Sequence, residues 1–215
     1  MLKLKKILIA TTNPGKIAEL TAVLGANIEW LGLSHFKGVA EIQEDGATFA
    51  ENARRKSLGY ARATGFWTIA DDSGLMIDAL GGQPGVKSAR FSGENEKACP
   101  EFIEGNRKLL DHKNMTKALK LLANIPRKKR TAKFVCCLCL ASPEKVLIET
   151  EGTLEGVIAE KEIGENGFGY DPIFFVPKLN KTVAQLTREE KNAISHRGNA
   201  IRKLKPLLDK LLETA

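Results

Sequence analysis

Short apolar runs and helical spacing alternate along the first part of the chain. Runs at Lys5–Thr11, Ile28–Leu33 and Trp67–Ala70 predict buried strands. Between the first two runs, apolar residues recur every three or four positions from Ile17 to Leu24, which is typical of a helix. The chain is therefore predicted to begin with a strand, a loop, a helix and a second strand.

A second helix is predicted over Phe49–Arg62. Thr48 precedes it and is followed three residues later by Glu51, the reciprocal pair that caps a first helical turn. One face of this helix carries Phe49, Ala53, Lys56 and Tyr60.

The alternation continues in the second half. Helical patterns cover Pro100–Leu110 and Lys117–Ala123, and the basic run Arg127–Arg130 introduces an apolar strand at Lys133–Ala141. The segment Lys145–Glu160 alternates and contains two glycines, which predicts one or two long strands with a bulge or bend.

The last part of the chain holds a loop and a helix. Gly164–Pro172 contains three glycines and a proline and is predicted to be a shaped loop. The final helix has Pro206 near its middle. Its apolar stripe is formed by Ile201, Leu204, Leu208 and Leu211. Interleaved strands and helices predict an α/β fold, and the long paired strands favour a mixed sheet.

Composition bounds the class of protein. The 215 residues are 43% hydrophobic and 27% charged, a mixture that can bury a large core in one domain or two lobes. The longest apolar run, Phe134–Ala141, is far shorter than the ~20 residues of a membrane-spanning helix. Ile7–Ala10 is too short for a secretory signal, so we expect a cytoplasmic protein. The four cysteines lack a zinc or disulfide spacing and are expected to be buried thiols: Cys99, Cys136, Cys137 and Cys139.

A net charge of +7 permits attraction to nucleic acid, an anionic membrane surface or a polyphosphate metabolite. The segment Thr11–Lys16 favours the third. It joins a strand to a helix through Asn, Gly and Lys, which presents donors and the positive helix dipole to a phosphate. It is not a P-loop, and an ordinary capped turn is the alternative.

Two adjacent carboxylates, Asp71 and Asp72, follow an apolar strand. Their repulsion and desolvation call for a divalent cation, a cationic partner or backbone N–H caps. Because neighbours on a strand point to opposite faces, only one of them should face a given site. A carboxylate from the acidic stretch Glu41–Glu51 meeting Asp72 would suit Mg²⁺, although such stretches are usually solvated.

Two further groups suggest recognition of a base. Gly167–Pro172 flanks Phe168 with glycines, so the ring is either displayed for stacking or packed in a corner. Lys191 and the Ser195–Arg197 trio offer donors for a phosphate or a base edge, or are surface residues of a basic helix. No serine-hydrolase elbow is present.

Taken in order, these segments resemble the inosine triphosphate pyrophosphatase family, the bacterial-type enzymes that clear non-standard purine nucleotides. The resemblance spans nearly the whole chain. It is carried by ATTNPGK (Ala10–Lys16), EDGATFAENARRKS (Glu44–Ser57), IADDSGLMIDALGGQPGVKSARFSGE (Ile69–Glu94), GFGYDPIFF (Gly167–Phe175) and KTVAQLTREEKNAISHRGNAI (Lys181–Ile201).

The resemblance implies an elongated mixed sheet flanked by helices, two lobes with a cleft between them, a single domain over residues 1–215, and a homodimer. It also implies the reaction. Water attacks the α-phosphorus of a non-standard purine triphosphate such as ITP, dITP or XTP. The products are the monophosphate and pyrophosphate, Mg²⁺ is required, and such nucleotides are kept out of nucleic acid.

The resemblance further implies a role for each matching residue. Asp72 is the catalytic base and, with Glu44, a metal ligand, with Glu51 as the alternative ligand. The expected substrate contacts are Thr11, Thr12, Asn13 and Lys16 for the phosphates, Ser73, Phe168 for stacking on the purine, Gly169, Tyr170 and Asp171 for shaping its pocket, and Lys191, His196 and Arg197 for the base or phosphates.

Some positions depart from the family pattern, and two other functions remain open. Thr12 stands where relatives often have Gly or Asn, Gln43 where some have Glu, and Gln185 replaces a common Glu. A Maf-like nucleotide pyrophosphatase is the nearest rival. A basic nucleic-acid-binding module is less favoured, because aromatic residues are only 6% and do not interleave with the charges. No nucleic-acid or membrane partner is therefore expected.

Overall fold

A computed structural model describes residues 5–24, 28–93 and 104–214. In these ranges the strands are β1 (Lys5–Ile9), β2 (Ile28–Gly32), β3 (Trp67–Ile77), β4 (Thr131–Ala141), β5 (Val146–Ile158), β6 (Phe174–Val176) and β7 (Lys181–Thr182). The α-helices are α1 (Pro14–Leu24), α2 (Phe49–Thr64), α3 (Glu104–Leu121), α4 (Arg188–Ile194) and α5 (His196–Thr214).

The strands form one seven-stranded sheet in the order β2-β1-β3-β4-β5-β6-β7. β1 pairs in parallel with β2 and β3, whereas β6 pairs antiparallel with β5 and β7. The predicted α/β fold with a mixed sheet is confirmed.

Helices cover both faces of the sheet around β1, because its side chains alternate in direction. Ile7 and Ile9 pack in a cluster with apolar residues of α1 and α5. Leu8 and Ala10 point the other way and pack with Tyr60 of α2. The helices flanking the sheet are thus positioned by a simple two-residue period.

The prediction that a strand ends just before Asp71 is wrong. β3 continues to Ile77, so Asp71 and Asp72 lie inside a strand. β1 ends at Ile9, which pairs with Ile69, whereas β3 continues to Ile77 and is also hydrogen-bonded to β4 on its other side. The two carboxylates therefore lie on β3 just past the carboxyl end of β1, and sheet pairing overrides the local polarity that suggested a break.

The separate helices predicted at Pro100–Leu110 and Lys117–Ala123 are one helix, α3. The polar stretch between them stays helical because Asn114 and Met115 are buried there. The part of the first prediction before Glu104 lies outside the described residues.

β5 is a single strand, and its glycines serve close packing. A Cβ on Gly152 would lie 2.2 Å from the carbonyl oxygen of His196, and one on Gly156 would lie 2.5 Å from the Phe174 ring. Glycine thus allows α5 and β6 to approach the strand.

Other predictions hold with small changes. α2 is two residues longer than predicted, and Thr48 Oγ1 accepts the Glu51 N–H. The Glu51 carboxylate accepts the N–H of Ala47, one residue before the expected partner. The predicted stripe of α5 packs into the core, and the predicted loop Gly164–Pro172 ends in a short 3-10 helix over Asp171–Ile173.

The cysteine and membrane predictions can be compared with the described residues. Cys136, Cys137 and Cys139 are free and buried, as expected, and Cys99 lies outside the described part. In that part no helix is long and apolar enough to cross a membrane.

Contacts divide the chain into two compact units. The first comprises Met1–Ser73, Cys136–Thr153 and Ser195–Ala215, and the second comprises Gly74–Val135 and Leu154–Ile194. Each has its own apolar core. The single domain and the cleft stay predictions.

Candidate active site

The loop between β1 and α1 forms the start of the candidate site in the first unit. Asn13 caps α1: its Oδ1 accepts the N–H groups of Gly15 at 2.9 Å and Lys16 at 3.4 Å. Thr11 Oγ1 accepts the Asn13 N–H, and Thr12 is exposed. Asn13 Nδ2 is buried and has no hydrogen-bond partner among the described residues. A donor is therefore left available at the positive end of a helix.

Asp71 lies at the centre of a buried ionic network. Its Oδ1 is 2.5 Å from Lys16 Nζ, and its Oδ2 is 2.6 Å from Arg197 Nε. The Ser73 hydroxyl donates to Oδ1 at 2.9 Å, and the Cys136 thiol lies 3.1 Å from Oδ2. Burial favours protonation of Asp71, but Arg197 and Lys16 outweigh it and hold the pKa well below the ordinary 3.8.

Arg197 completes this network from the first turn of α5. Its side chain is 1% exposed, and its Nη1 lies 2.5 Å from Glu19 Oε2 on α1. Its Nη2 donates to Ser73 Oγ at 2.9 Å. Asp71 and Glu19 raise the pKa of Arg197 in spite of its burial. The structure thus gives this guanidinium protein partners on each nitrogen, and its role as a substrate contact stays a prediction.

Asp72 follows Asp71 in β3, where successive side chains lie on opposite faces, and it has different surroundings. Its Oδ1 accepts the Ser73 N–H at 3.1 Å, while its buried Oδ2 has no hydrogen-bond partner in the described ranges. Burial raises the pKa of Asp72, and Lys56 and Lys16 oppose that rise. A buried carboxylate with one unused oxygen is suited to accept a proton.

Lys56 and Glu44 lie on the Asp72 side. Lys56 Nζ is 3.0 Å from Glu44 Oε1 and donates to the carbonyl oxygen of Asp71 at 2.7 Å. Burial lowers the pKa of Lys56, but Glu44, Asp72 and Asp71 together raise it, so the ammonium keeps its charge. We call Glu44, Lys56, Asp71, Asp72, Lys16 and Arg197 the carboxylate centre.

The donor set of this centre fits a magnesium ion. Asp72 Oδ2 is buried without a partner in the described residues, and Glu44 is close enough to raise the pKa of Asp72 further. Those residues contain no group of three or more His, Cys, Asp or Glu side chains that could hold a metal. Mg²⁺ commonly uses one or two carboxylates and completes its shell with water and phosphates. Glu51, the alternative ligand, is engaged by Ala47 N–H and Arg55.

The second unit has a group of its own around residues Gly164–Pro172, which we call the Phe168 loop. Gly167 has φ +79°, and a Cβ there would lie 2.1 Å from Asp171 Oδ2, so the turn requires glycine. The same Asp171 oxygen accepts the Phe168 N–H at 3.0 Å. Gly169 N–H donates to Asp111 Oδ2 of α3 at 2.7 Å. The loop is thus fastened on both sides of a half-buried phenyl ring.

Lys191 fixes the ring from α4. Its ammonium is 2.7 Å from Asp171 Oδ2 and 4.4 Å from the centre of the Phe168 ring. Tyr170 points inward and donates to the Ser88 carbonyl at 2.8 Å, and burial and then Asp111 raise its pKa. His196, in the first unit, is 7% exposed at the start of α5. The structure therefore brings Phe168, Asp171 and Lys191 together.

Sequence reasoning missed several members of these two groups. The helical pattern places Lys56 on the apolar face of α2. A lysine on a face that is otherwise apolar indicates a buried charge, and this signal could have identified it. Glu19 and Asp111 give no local signal, since neither belongs to a motif or has another acidic residue next to it in the sequence. Asn52 lies inside the Glu44–Ser57 motif, but an asparagine in a helix carries no signal of a role by itself.

These features define a class: an α/β protein with a buried cluster of carboxylates, lysines and an arginine, and with a half-buried aromatic ring on a glycine loop. The model of the Ham1 family matches residues 7–207. The chain is 44% identical over 207 residues to the dITP/XTP pyrophosphatase of Desulforamulus reducens, covering 96% of each chain. It is also 44% identical over 212 residues to that of Bacillus subtilis, covering 97% of this chain and 100% of the relative.

Solved structures of Ham1 proteins have the same fold as this chain. The Ham1 protein of Staphylococcus aureus is 43% identical and superposes with a TM-score of 0.81, covering 96% of this chain and 99% of its own. The HAM1 protein of Coxiella burnetii gives a TM-score of 0.83 at 38% identity with the same coverage. The chain belongs to the Ham1 family, and the resemblance seen in the sequence is confirmed.

Proposed function

We propose that this protein hydrolyses non-standard purine nucleoside triphosphates, ITP, dITP and XTP, to the monophosphate and pyrophosphate, and so keeps them out of nucleic acid. The observation that carries the proposal is Asp72, a buried carboxylate whose Oδ2 has no hydrogen-bond partner in the described part of the chain and whose pKa is lowered by Lys56 and Lys16 against the effect of burial. The dITP/XTP pyrophosphatase relatives support the substrate class.

The residues of the first unit would hold the phosphate tail. Lys16 and Lys56 would supply positive charge, and Asn13 Nδ2, which has no partner among the residues described, would supply a hydrogen bond beside the N-terminus of α1. Ser73 and Thr12 are proposed as further contacts. Phosphoryl transfer depends mainly on positioning and charge neutralisation, and these groups provide both.

Asp72 would take the proton of the attacking water at Oδ2. The lysines at its side oppose the rise in pKa, so we expect the carboxylate to be ionised at neutral pH. Glu44 and Asp72 are proposed to hold Mg²⁺. When bound, this ion would neutralise phosphate charge and polarise water.

The residues around Phe168 would bind the base. Because every base has a π face, stacking on Phe168 would increase affinity for any base without selecting one. Selectivity for the base would come from hydrogen-bond donors, and we propose Lys191, His196 and backbone N–H groups for this role. Hypoxanthine and xanthine present a carbonyl oxygen at C6, which accepts such a hydrogen bond, whereas adenine presents an amino group there. A site built on such hydrogen bonds can reject the wrong base by up to ~10⁴-fold.

A nucleotide panel tests the proposal. Purified protein with Mg²⁺ is incubated with ITP, dITP, XTP, GTP, ATP and UTP, and the products are identified by mass, with metal-free reactions as controls. We expect monophosphate and pyrophosphate from the first three. Equal rates with ATP and GTP would contradict the proposed pocket, preference for UTP would favour the Maf-like alternative, and a diphosphate with orthophosphate would exclude this reaction. Sedimentation tests the proposed homodimer, and the cytoplasmic location stays a prediction.

A further inference from the structure

Asn52 is a buried amide next to the carboxylate centre that the proposed mechanism does not use. It lies in the first turns of α2 and is 0% exposed. An uncharged amide buried this completely is costly unless its polar atoms are used, so each of them calls for an explanation.

The carbonyl side of Asn52 holds the segment that carries Glu44. Its Oδ1 accepts the N–H of Gly46 at 2.8 Å. A Cβ on Gly46 would lie 2.6 Å from that oxygen and 3.0 Å from Glu51 Cγ, so only glycine permits this approach. The position of Glu44, two residues earlier, is therefore set in part by Asn52.

The amino group of Asn52 is buried on the other side of the amide. Because Gly46 N–H is a donor, the amide oxygen must be the atom that meets it, which fixes where Nδ2 points. Nδ2 is buried and has no partner within the described residues, and the same holds for Asp72 Oδ2. The Asn52 amide is near enough to Asp72 to lower the pKa of that carboxyl against the effect of burial.

We propose that Asn52 is a positioning residue of the cation site, holding the Glu44 segment through its oxygen and keeping its buried Nδ2 donor close to Asp72. The inference rests on the proposed function and deepens it. Groups behind metal ligands orient them, and replacing such a group typically costs about 10–100-fold in metal affinity or activity.

Two substitutions separate this role from simple anchoring of a loop. Asn52→Leu removes donor and acceptor at similar volume. Asn52→Asp keeps an acceptor for Gly46 N–H but replaces the donor near Asp72 by an oxygen. We expect kcat for ITP to fall at least about 10-fold in both variants, with KM within about 3-fold of the wild type.

A second readout does not depend on turnover. Mg²⁺ is titrated by calorimetry into enzyme saturated with the α,β-methylene analogue of ITP, and Asn52→Leu is expected to weaken Mg²⁺ binding about 10–100-fold. Ser57→Ala is the matched control, because Ser57 is also 0% exposed on α2 but bonds to Arg54 O and Cys139 Sγ. It should keep wild-type kcat and Mg²⁺ affinity.

Gly46→Ala gives an independent route if an Asn52 variant does not fold, since its methyl group would press on Asn52 Oδ1 while the donor remains. It should reproduce the loss of kcat. Wild-type kcat and Mg²⁺ affinity in Asn52→Asp would show that Asn52 only anchors the loop and would overturn the inference, as would wild-type behaviour of Asn52→Leu or Gly46→Ala. An inactive wild type in the same assay would instead overturn the proposed function.

Discussion

The carboxylate centre and the Phe168 loop differ in how their functional groups are held. In the carboxylate centre, the buried charges of Asp71 and Arg197 pair with each other, and Asp71 also contacts Lys16 and Ser73. The Phe168 loop keeps a phenyl ring half-buried by fastening the backbone on each side of it. We therefore expect substitutions in the carboxylate centre to lower stability or turnover, and substitutions in the Phe168 loop to weaken substrate binding.

The largest effect is expected from Arg197→Met. This change leaves Asp71 and Glu19 buried without their shared cation, and breaking a buried pair costs about 3–5 kcal/mol. Urea denaturation measures it. The control is Arg54→Met, which removes an exposed pair with Glu149 and should cost under ~1 kcal/mol. Equal losses in the two variants would contradict the importance of the network.

The same network predicts a pH dependence of stability. The pKa of Asp71 is lower in the folded state than its ordinary value of 3.8. The ionised carboxylate therefore stabilises the fold at every pH above 3.8, and this contribution is lost as the pH falls through the folded pKa. The difference in unfolding free energy between wild type and Asp71→Asn should shrink below that pH. If the difference in unfolding free energy grew on acidification, the pKa of Asp71 would not be lowered by folding.

Asp72→Asn should act on turnover with little change of shape. It removes the proposed base, and general-base catalysis contributes at least ~10²-fold. Steady-state rates with ITP measure the loss, and unfolding curves check that the variant is folded. Asp209→Asn, at an exposed carboxylate paired with Lys205, is the control and should keep wild-type turnover. Wild-type turnover in Asp72→Asn would remove Asp72 from the mechanism.

A smaller effect is expected from Phe168→Ala. Loss of stacking costs about 1–3 kcal/mol, so KM for ITP should rise about 10-fold while the ratio of ITP to GTP efficiency stays constant. Phe36→Ala, where the ring packs on Phe66 at 5.6 Å, serves as the control. An altered ratio would mean that the ring selects the base.

The two regions also differ in how far the sequence predicts them. The Phe168 loop is local: its glycines, Asp171 and Phe168 lie within a few residues, so the pattern predicts the loop itself. Its anchor Asp111 comes from α3 and left no signal. Local patterns also predict β1 as a short apolar run, and α1, α2 and α5 as helices that each bury one face.

The carboxylate centre depends on groups far apart in the chain. Asp71 meets Arg197 across 126 positions, and no local pattern encodes that pairing. Sheet pairing carried β3 through two aspartates that looked like a strand end. The alternation of side chains nevertheless predicted that Asp71 and Asp72 face opposite ways, because that rule depends only on the strand itself.

Hydrolysis of ITP in ¹⁸O-labelled water tests the central claim most directly. If Asp72 directs water to the α-phosphorus, one ¹⁸O should appear in inosine monophosphate and none in pyrophosphate. Label in pyrophosphate, or release of labelled orthophosphate, would place the attack at another phosphorus and contradict the account.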